Sequence, residues 1–388
     1  MSRLAELIHE FCPDGVEYKL LNEITTISRG VRVVRSQLTA AGTYPVYQNS
    51  MSPLGYHEES NCPANTVFII AAGAAGEIGF CSVDFWAADD CFYFNCSPCL
   101  QSRYLYFALL CQQQYIFSRV RRASIPRLAR SIIEGMKIPV PPLPVQNEIV
   151  RILDNFTELT AELTAELTAE LTARKKQYEY YRDQFLIFGD DVERKTLGEV
   201  CVPTKNIKWE ETDSDYQYID LTSVSRDTHV IVDSTTINKE NAPSRAQKLV
   251  EKDDVIFATT RPTLRRFALI DGEFSGQVCS TGFCVLRVNA KKALPKWVYY
   301  QISQTTYYDY MESVQKGAAY PAVSDAEVKR YKIPLPSPSE QERIVAILDK
   351  FDALINSITE WLPREIGLRQ KQYEYYRDKL LTFKEKKA

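Results

Sequence analysis

Three groups of basic residues carry most of the chemistry this sequence offers. The stretch SRVRRASIPRLAR at 118–130 contains five arginines and no acidic residue, among them Arg119, Arg121, Arg122 and Arg127. SRGVRVVRS at 28–36 sets Arg29, Arg32 and Arg35 three residues apart. TTRPTLRRF at 259–267 holds Arg261, Arg265 and Arg266 around Pro262, a residue that favours a loop or strand end. Clusters of this kind suit phosphate contacts and bidentate reading of guanine edges. A fourth stretch, QKGAAYPAVS at 315–324, aligns roughly with RRASIPRLAR and offers Lys316 and Tyr320. Small residues followed by Pro let the backbone approach a duplex closely. A single arginine is equally well explained as a solvated charge or an internal ion pair, whereas the clusters as groups favour DNA. Tyr47, Gln48 and Asn49 add polar side chains suited to adenine.

Catalytic patterns are weaker. No Asn-Pro-Pro-Tyr or Asp-Pro-Pro-Tyr tetrapeptide of an adenine methyltransferase occurs, and there is no Walker-type phosphate loop. GAAGEIG at 73–79 has glycines at every third position but lacks the G-x-G turn of a nucleotide fingerprint, so it reads as a tight β connection. Asp183, Glu193 and Lys195 form a D-x9-E-x-K arrangement that in a nuclease would hold magnesium and a water. They fall where a long helix ends and a domain begins, a place where charged residues ordinarily cap or solvate. Cys96 and Cys99 make one C-x2-C step without the second knuckle or His pair of a structural zinc site. The expectation is a chain without catalytic residues, bound metal or cofactor of its own.

The whole-chain numbers set bounds on that chemistry. A net charge of −3 means that any DNA affinity comes from local patches or from a partner. Ten cysteines in a chain of 388 residues with no export signal read as reduced thiols. No apolar run approaches the roughly 20 residues of a membrane span, so the expected location is the cytoplasm, without membrane contact.

The elements that must position these residues are duplicated. KIPVPPLPVQNEIVRILDNF at 137–156 and KIPLPSPSEQERIVAILDKF at 332–351 agree at eleven of twenty positions, at an offset of 195. KQYEYYRD recurs at the same offset, at 176–183 and 371–378. A fixed separation is what a helix requires, since each inserted residue would rotate everything beyond it by about 100°. A Pro-rich start enters each block, followed by apolar residues at three- and four-residue steps, although Pro363 should kink or interrupt the second helix. Two such helices can bury their seams as an antiparallel coiled coil. The stretches between differ from each other and contain short β-rich runs, TVFIIAA at 66–72, CFYFNC at 91–96, DVIFATT at 254–260 and GFCVLRV at 282–288. Helical patterns follow them at about 101–120 and 295–315. The expected fold is therefore mixed α/β of the α+β class, with two globules at 1–140 and 189–335 and two long antiparallel helices at 141–188 and 336–388, related by a pseudo-twofold internal repeat.

Inside the first helix, TELTAELTAELTAELTA at 157–173 repeats every four residues. Each TAEL unit would lengthen a helix by about 6 Å, one to two base-pair steps of DNA. Two unlike globules, two blocks bearing KIPxPxxxxQxxIVxILDxF and KQYEYYRD, and the TAEL array together resemble the specificity subunits of type I restriction-modification systems, particularly the IC group. The resemblance covers essentially the whole chain. It implies that each globule is a target recognition domain reading one half of a bipartite asymmetric site in double-stranded DNA. It also implies that the helices set the gap and dock two methyltransferase subunits. ATP-dependent restriction subunits would join the larger complex, with S-adenosylmethionine, ATP and magnesium on those partners and none on this chain. Independently of the resemblance, a duplication gives two equal surfaces for two copies of one partner. Tyr178, Tyr181, Arg182, Tyr373, Tyr376 and Arg377 are the candidates for them, Tyr and Arg being favoured at interfaces, with seam filling as the competing role. A self-sufficient nuclease and a coiled-coil adaptor without DNA binding are the other two function classes.

Overall fold

A computed structural model describes residues 2–40 and 42–386. The chain forms two compact units, one from residues up to Ala165 together with those from Glu365 onward, the other from Glu166 to Arg364. Each unit is α/β, and the long helices Leu143–Leu186 and Pro338–Leu380 each contribute one end to either unit.

In the first unit a four-stranded antiparallel sheet runs in the order Thr25–Arg29, Cys91–Cys96, Thr66–Ile70, Ile78–Cys81. Thr66–Ile70 is buried at all five positions because both of its faces are covered. Val67 and Ile69 pack with Tyr104, Leu105 and Phe107 of the helix Ser102–Cys111, while Phe68 and Ile70 join a second cluster with Phe85 and Ala87. A strand buried on both sides reads as a continuous apolar run, which is why TVFIIAA carries no alternation. The second unit repeats the plan, with the order Cys201–Val202, Phe283–Val288, Val255–Ala258, Phe267–Leu269. Here Val255 and Phe257 meet Trp297 and Tyr300 of the helix Pro295–Ser303, and Ile256 and Ala258 meet Ile219 and Cys279 on the other side.

The duplicated motif has a local structural cause. Lys137–Pro139 pairs antiparallel with Tyr18–Leu20, and Lys332–Pro334 pairs in the same way with Arg194–Thr196. The following prolines end each strand and release the chain into a helix whose first turn needs partners for its free amides and for the carbonyls of the preceding loop. The repeated glutamine serves one of those carbonyls in each unit and also binds the amide that opens a neighbouring helix. Gln146, fully buried, accepts from the Gln101 amide through Oε1 (2.9 Å) and donates through Nε2 to the Pro141 carbonyl (2.7 Å). Gln341, 2% exposed, accepts from the Leu294 amide (3.1 Å) and donates to the Pro336 carbonyl (3.0 Å). The strand carbonyls Pro139 and Pro334 accept from Tyr104 Oη (3.1 Å) and Trp297 Nε1 (2.9 Å).

Within each unit the ends of the long helices lie antiparallel. In the first, Thr157 Oγ1 donates to Tyr373 Oη (3.3 Å) and the Phe156 and Tyr376 rings stack. In the second, Tyr178 Oη donates to Asp352 Oδ1 (3.3 Å). The second helix runs through Pro363 without the interruption that was one of its two expected effects. Pro363 is exposed while its neighbour Leu362 is buried, so the one amide that proline removes lies on the water side.

All ten cysteines are free, and burial pushes the Cys62 and Cys91 thiols up to about 12, which keeps them protonated. Among the described residues no three His, Cys, Asp or Glu side chains group as a metal site, and no helix is long and apolar enough to cross a membrane. Asp183 accepts from Arg182 (2.8 Å) and from the Thr305 amide (3.2 Å), and Glu193 pairs with Lys195 (3.2 Å). GAAGEIG is the β connection expected, with Gly73 and Gly76 at positive φ between neighbouring strands.

Candidate nucleic-acid interface

The two proline-containing basic segments form the same loop. In the first unit Arg121 and Arg127 close it by exchanging backbone hydrogen bonds (2.8 and 3.1 Å), and the Leu128 amide ties it to Ala71 at the end of the central strand (2.9 Å). In the second unit Lys316 and Ala322 close it (2.9 Å each), and the Val323 amide ties it to Thr259 (2.9 Å). Arg121 and Lys316, and Arg127 and Ala322, are again 195 residues apart, so the internal repeat extends into a region with little sequence likeness. Anchored backbone with exposed side chains is how a rigid scaffold presents a binding loop.

In the first loop Arg121, Arg122 and Arg127 are exposed and have no ion pair among the described residues. Arg119 lies over the Tyr115 ring (5.0 Å) just before it, and Asn49 stands against Gly73 at its base. In the second, Lys316 reaches Glu327 (3.5 Å) yet is 84% exposed, so solvent screens that pair and the ammonium remains accessible. Beside it, Arg261 and Arg265 both adopt left-handed backbone, flanking the short turn Pro262–Leu264. Non-glycine residues there carry a strain of about 1 kcal/mol each, sustained by their surroundings. The Arg261 guanidinium covers the Tyr320 ring (4.7 Å), while Arg265 covers Tyr308 (4.7 Å) and pairs with Glu179 (3.4 Å).

Other sequence candidates are placed differently. Arg266 donates through Nη1 to the carbonyls of Leu221 (2.7 Å) and Val224, which makes it an anchor for that loop. Tyr47 is half-buried and packs its ring against Phe68 and Phe85. Arg32 and Arg35 are exposed, and Arg29 donates to the Asp89 carbonyl (2.6 Å). Among the helix candidates, Tyr178, Arg182, Tyr373 and Arg377 turn inward, the two arginine side chains being only 6% and 11% exposed and held by the neighbouring Asp183 and Asp378. Of these four, Tyr178 and Tyr373 bond to the facing helix end, as seam residues do. Tyr181 and Tyr376 are exposed, as are Tyr180 and Tyr375, which sequence reasoning passed over although the YEYY spelling puts them on the opposite side of the helix from the inward tyrosine.

A family model described as "Type I restriction modification DNA specificity domain" matches residues 13–173 and again 189–367. A putative type I restriction enzyme specificity subunit of Haemophilus influenzae is 32% identical over 95% of this chain and 96% of its own length. The chain belongs to the type I restriction-modification specificity-subunit family. The Escherichia coli EcoR124I/EcoR124II specificity subunit is 40% identical over 64% of this chain, a match that spans 63% of that relative. Among solved structures, the HsdS subunit from Thermoanaerobacter tengcongensis is 36% identical over 48% of this chain and 47% of its own, with a TM-score of 0.41. The twofold family match falls on the two structural repeats, each containing one cation-bearing loop and one KIP-to-helix junction.

Proposed function

We propose that this family member is the non-catalytic DNA-reading subunit of its complex, with residues 1–140 and 189–335 as target recognition domains and 141–188 and 336–388 as spacer helices. The carrying observation is the pair of equivalent loops, 121–127 and 316–322, pinned by matching hydrogen bonds to matching sheets. Each loop, with Arg119 in the first unit and Arg261 and Arg265 in the second, contacts phosphates and base edges of one half of a bipartite site. The helices set the gap between the halves and dock two methyltransferase subunits through the exposed tyrosines Tyr180, Tyr181, Tyr375 and Tyr376. S-adenosylmethionine, ATP and magnesium act on the methyltransferase and restriction partners in the cytoplasm.

Genome-wide mapping of methylated adenines, in a host expressing the chain with its methyltransferase, tests this reading. Exchange of residues 25–135 for those of a relative changes one half-site and leaves the other. Removal of one TAEL unit keeps both halves and shortens the gap by one to two base pairs. An unchanged methylation pattern after the exchange would refute the proposal.

A further inference from the structure

The two loops carry, at one equivalent position, the large apolar side chains that their units would be expected to hide. Ile125 is 53% exposed and Tyr320 is 71% exposed, the highest value of any large hydrophobic residue among those described. They are 195 residues apart, and each precedes the loop proline, Pro126 or Pro321. The carbonyls of those prolines accept from the Gly73 amide (3.2 Å) in one unit and the Arg261 amide (2.7 Å) in the other. Both donors are at positive φ, +86° and +49°. Glycine is the residue that such a backbone favours, and the first unit has it, where an added Cβ would strike Asn49. The second unit accepts an arginine at the same place, and its guanidinium covers the Tyr320 ring at 4.7 Å. A strained arginine is retained where it supports the exposed aromatic tip.

Isolated exposed hydrophobics need no explanation in general. These two occupy the same tip of a loop closed by a two-bond bridge, with cations around each and the proline beside each restricting the backbone. An apolar side chain on a rigid mount between phosphate-binding groups is the form of a wedge that enters a duplex between base pairs. Resting on the DNA-reading function proposed above, we infer that Ile125 and Tyr320 are wedge residues, one for each half-site, which part neighbouring base pairs as the surrounding cations hold the backbone. Arg261 is a positioning residue for Tyr320. The sequence at the parted step is then selected by how easily it unstacks, with pyrimidine–purine steps favoured.

The test uses the full chain in complex with its methyltransferase and duplexes carrying the mapped site. 2-Aminopurine is placed in turn at each position of both halves except the methylated adenine, because unstacking brightens this base. The expected result is one bright step in each half. Ile125→Ala removes the signal in the first half only, and Tyr320→Ala in the second only, with affinity about tenfold weaker for Tyr320→Ala; Tyr320→Phe retains both. Both substitutions lie at exposed tips, so assembly with the methyltransferase is unaffected. Absence of any bright step, or signals unchanged in both alanine variants, overturns the wedge while leaving sequence-specific reading intact. Weakened methyltransferase assembly with unchanged fluorescence also overturns it, since the tips would then face protein. If the complex shows no mapped site at all, the DNA-reading function itself fails and the wedge falls with it.

Discussion

The two units solve one folding problem with different chemistry. The first keeps its central sheet apolar and places its charge on the loop, as Arg121, Arg122 and Arg127. The second carries fewer cations on the equivalent loop and places charge inside. Asp254, 1% exposed and just before the central strand, takes a two-pronged contact from Arg287 (2.8–2.9 Å), where the first unit has Thr66, the first residue of its own central strand. The helix seams differ likewise, with neutral Thr157 opposite Tyr373 in one unit and Asp352 opposite Tyr178 in the other. The junctions and loop anchors agree because backbone amides impose the same demand in both. The polar interiors differ because many pairings satisfy a buried group.

That difference is open to test, and the buried ion pair offers the largest effect. Asp254→Ala leaves Arg287 without its buried partner and should destabilise the second unit by about 3–5 kcal/mol. Calorimetry should show one early transition, whereas Thr66→Ala in the first unit should have a much smaller effect; equal losses would break the comparison.

His229 gives the next effect. Burial, with Arg182 and Arg265 nearby, depresses its imidazole to about 4. The folded state therefore holds the neutral ring. Its contribution is complete above the ordinary value near 6.5 and is lost as the pH falls through the window down to about 4, roughly 3 kcal/mol in all. His229→Gln should flatten the stability profile of the second unit in that window, as read by denaturant titration at several pH values. The first unit should not respond.

If the exposed helix faces dock methyltransferase as proposed, Tyr181→Ser and Tyr376→Ser should each weaken that docking by about tenfold, at one site of the two. Light scattering and titration would detect loss of one bound subunit per variant. Loss of both from a single substitution would mean that the surfaces are not equivalent.

The smallest expected effect is at the seam. Burial holds the Asp352 carboxyl above its ordinary range, so its ionisation opposes folding. Asp352→Asn should raise the unfolding midpoint at neutral pH while still accepting from Tyr178. The gain should vanish as the pH falls below the ordinary aspartate value, where the wild-type carboxyl is protonated in both states. A midpoint that drops at neutral pH would show the carboxylate to be stabilising.

Much of the architecture was legible before any coordinates. CFYFNC is a strand over those six residues, and the patterns at 101–120 and 295–315 each resolve into two helices. Fully buried strands announce themselves by continuous apolar runs, and helices by their period. The basic clusters were legible only as clusters. Arg121 and Arg266 look alike in sequence, yet one is exposed and the other donates to carbonyls more than forty residues away in the chain. Ile125 gave no signal at all, since an apolar residue in a loop is read as core until its exposure is known.

By itself the sequence determined the duplication, the two long helices and the strands between them, because repeat, period and proline placement act over a few residues and leave local marks. Only the tertiary structure decided which of the repeated tyrosines and arginines turn inward, which arginines anchor loops, and that loops 121–127 and 316–322 are the same device. Those outcomes depend on contacts between segments distant in the chain, and a side chain's type does not say which carbonyl, ring or solvent it will meet.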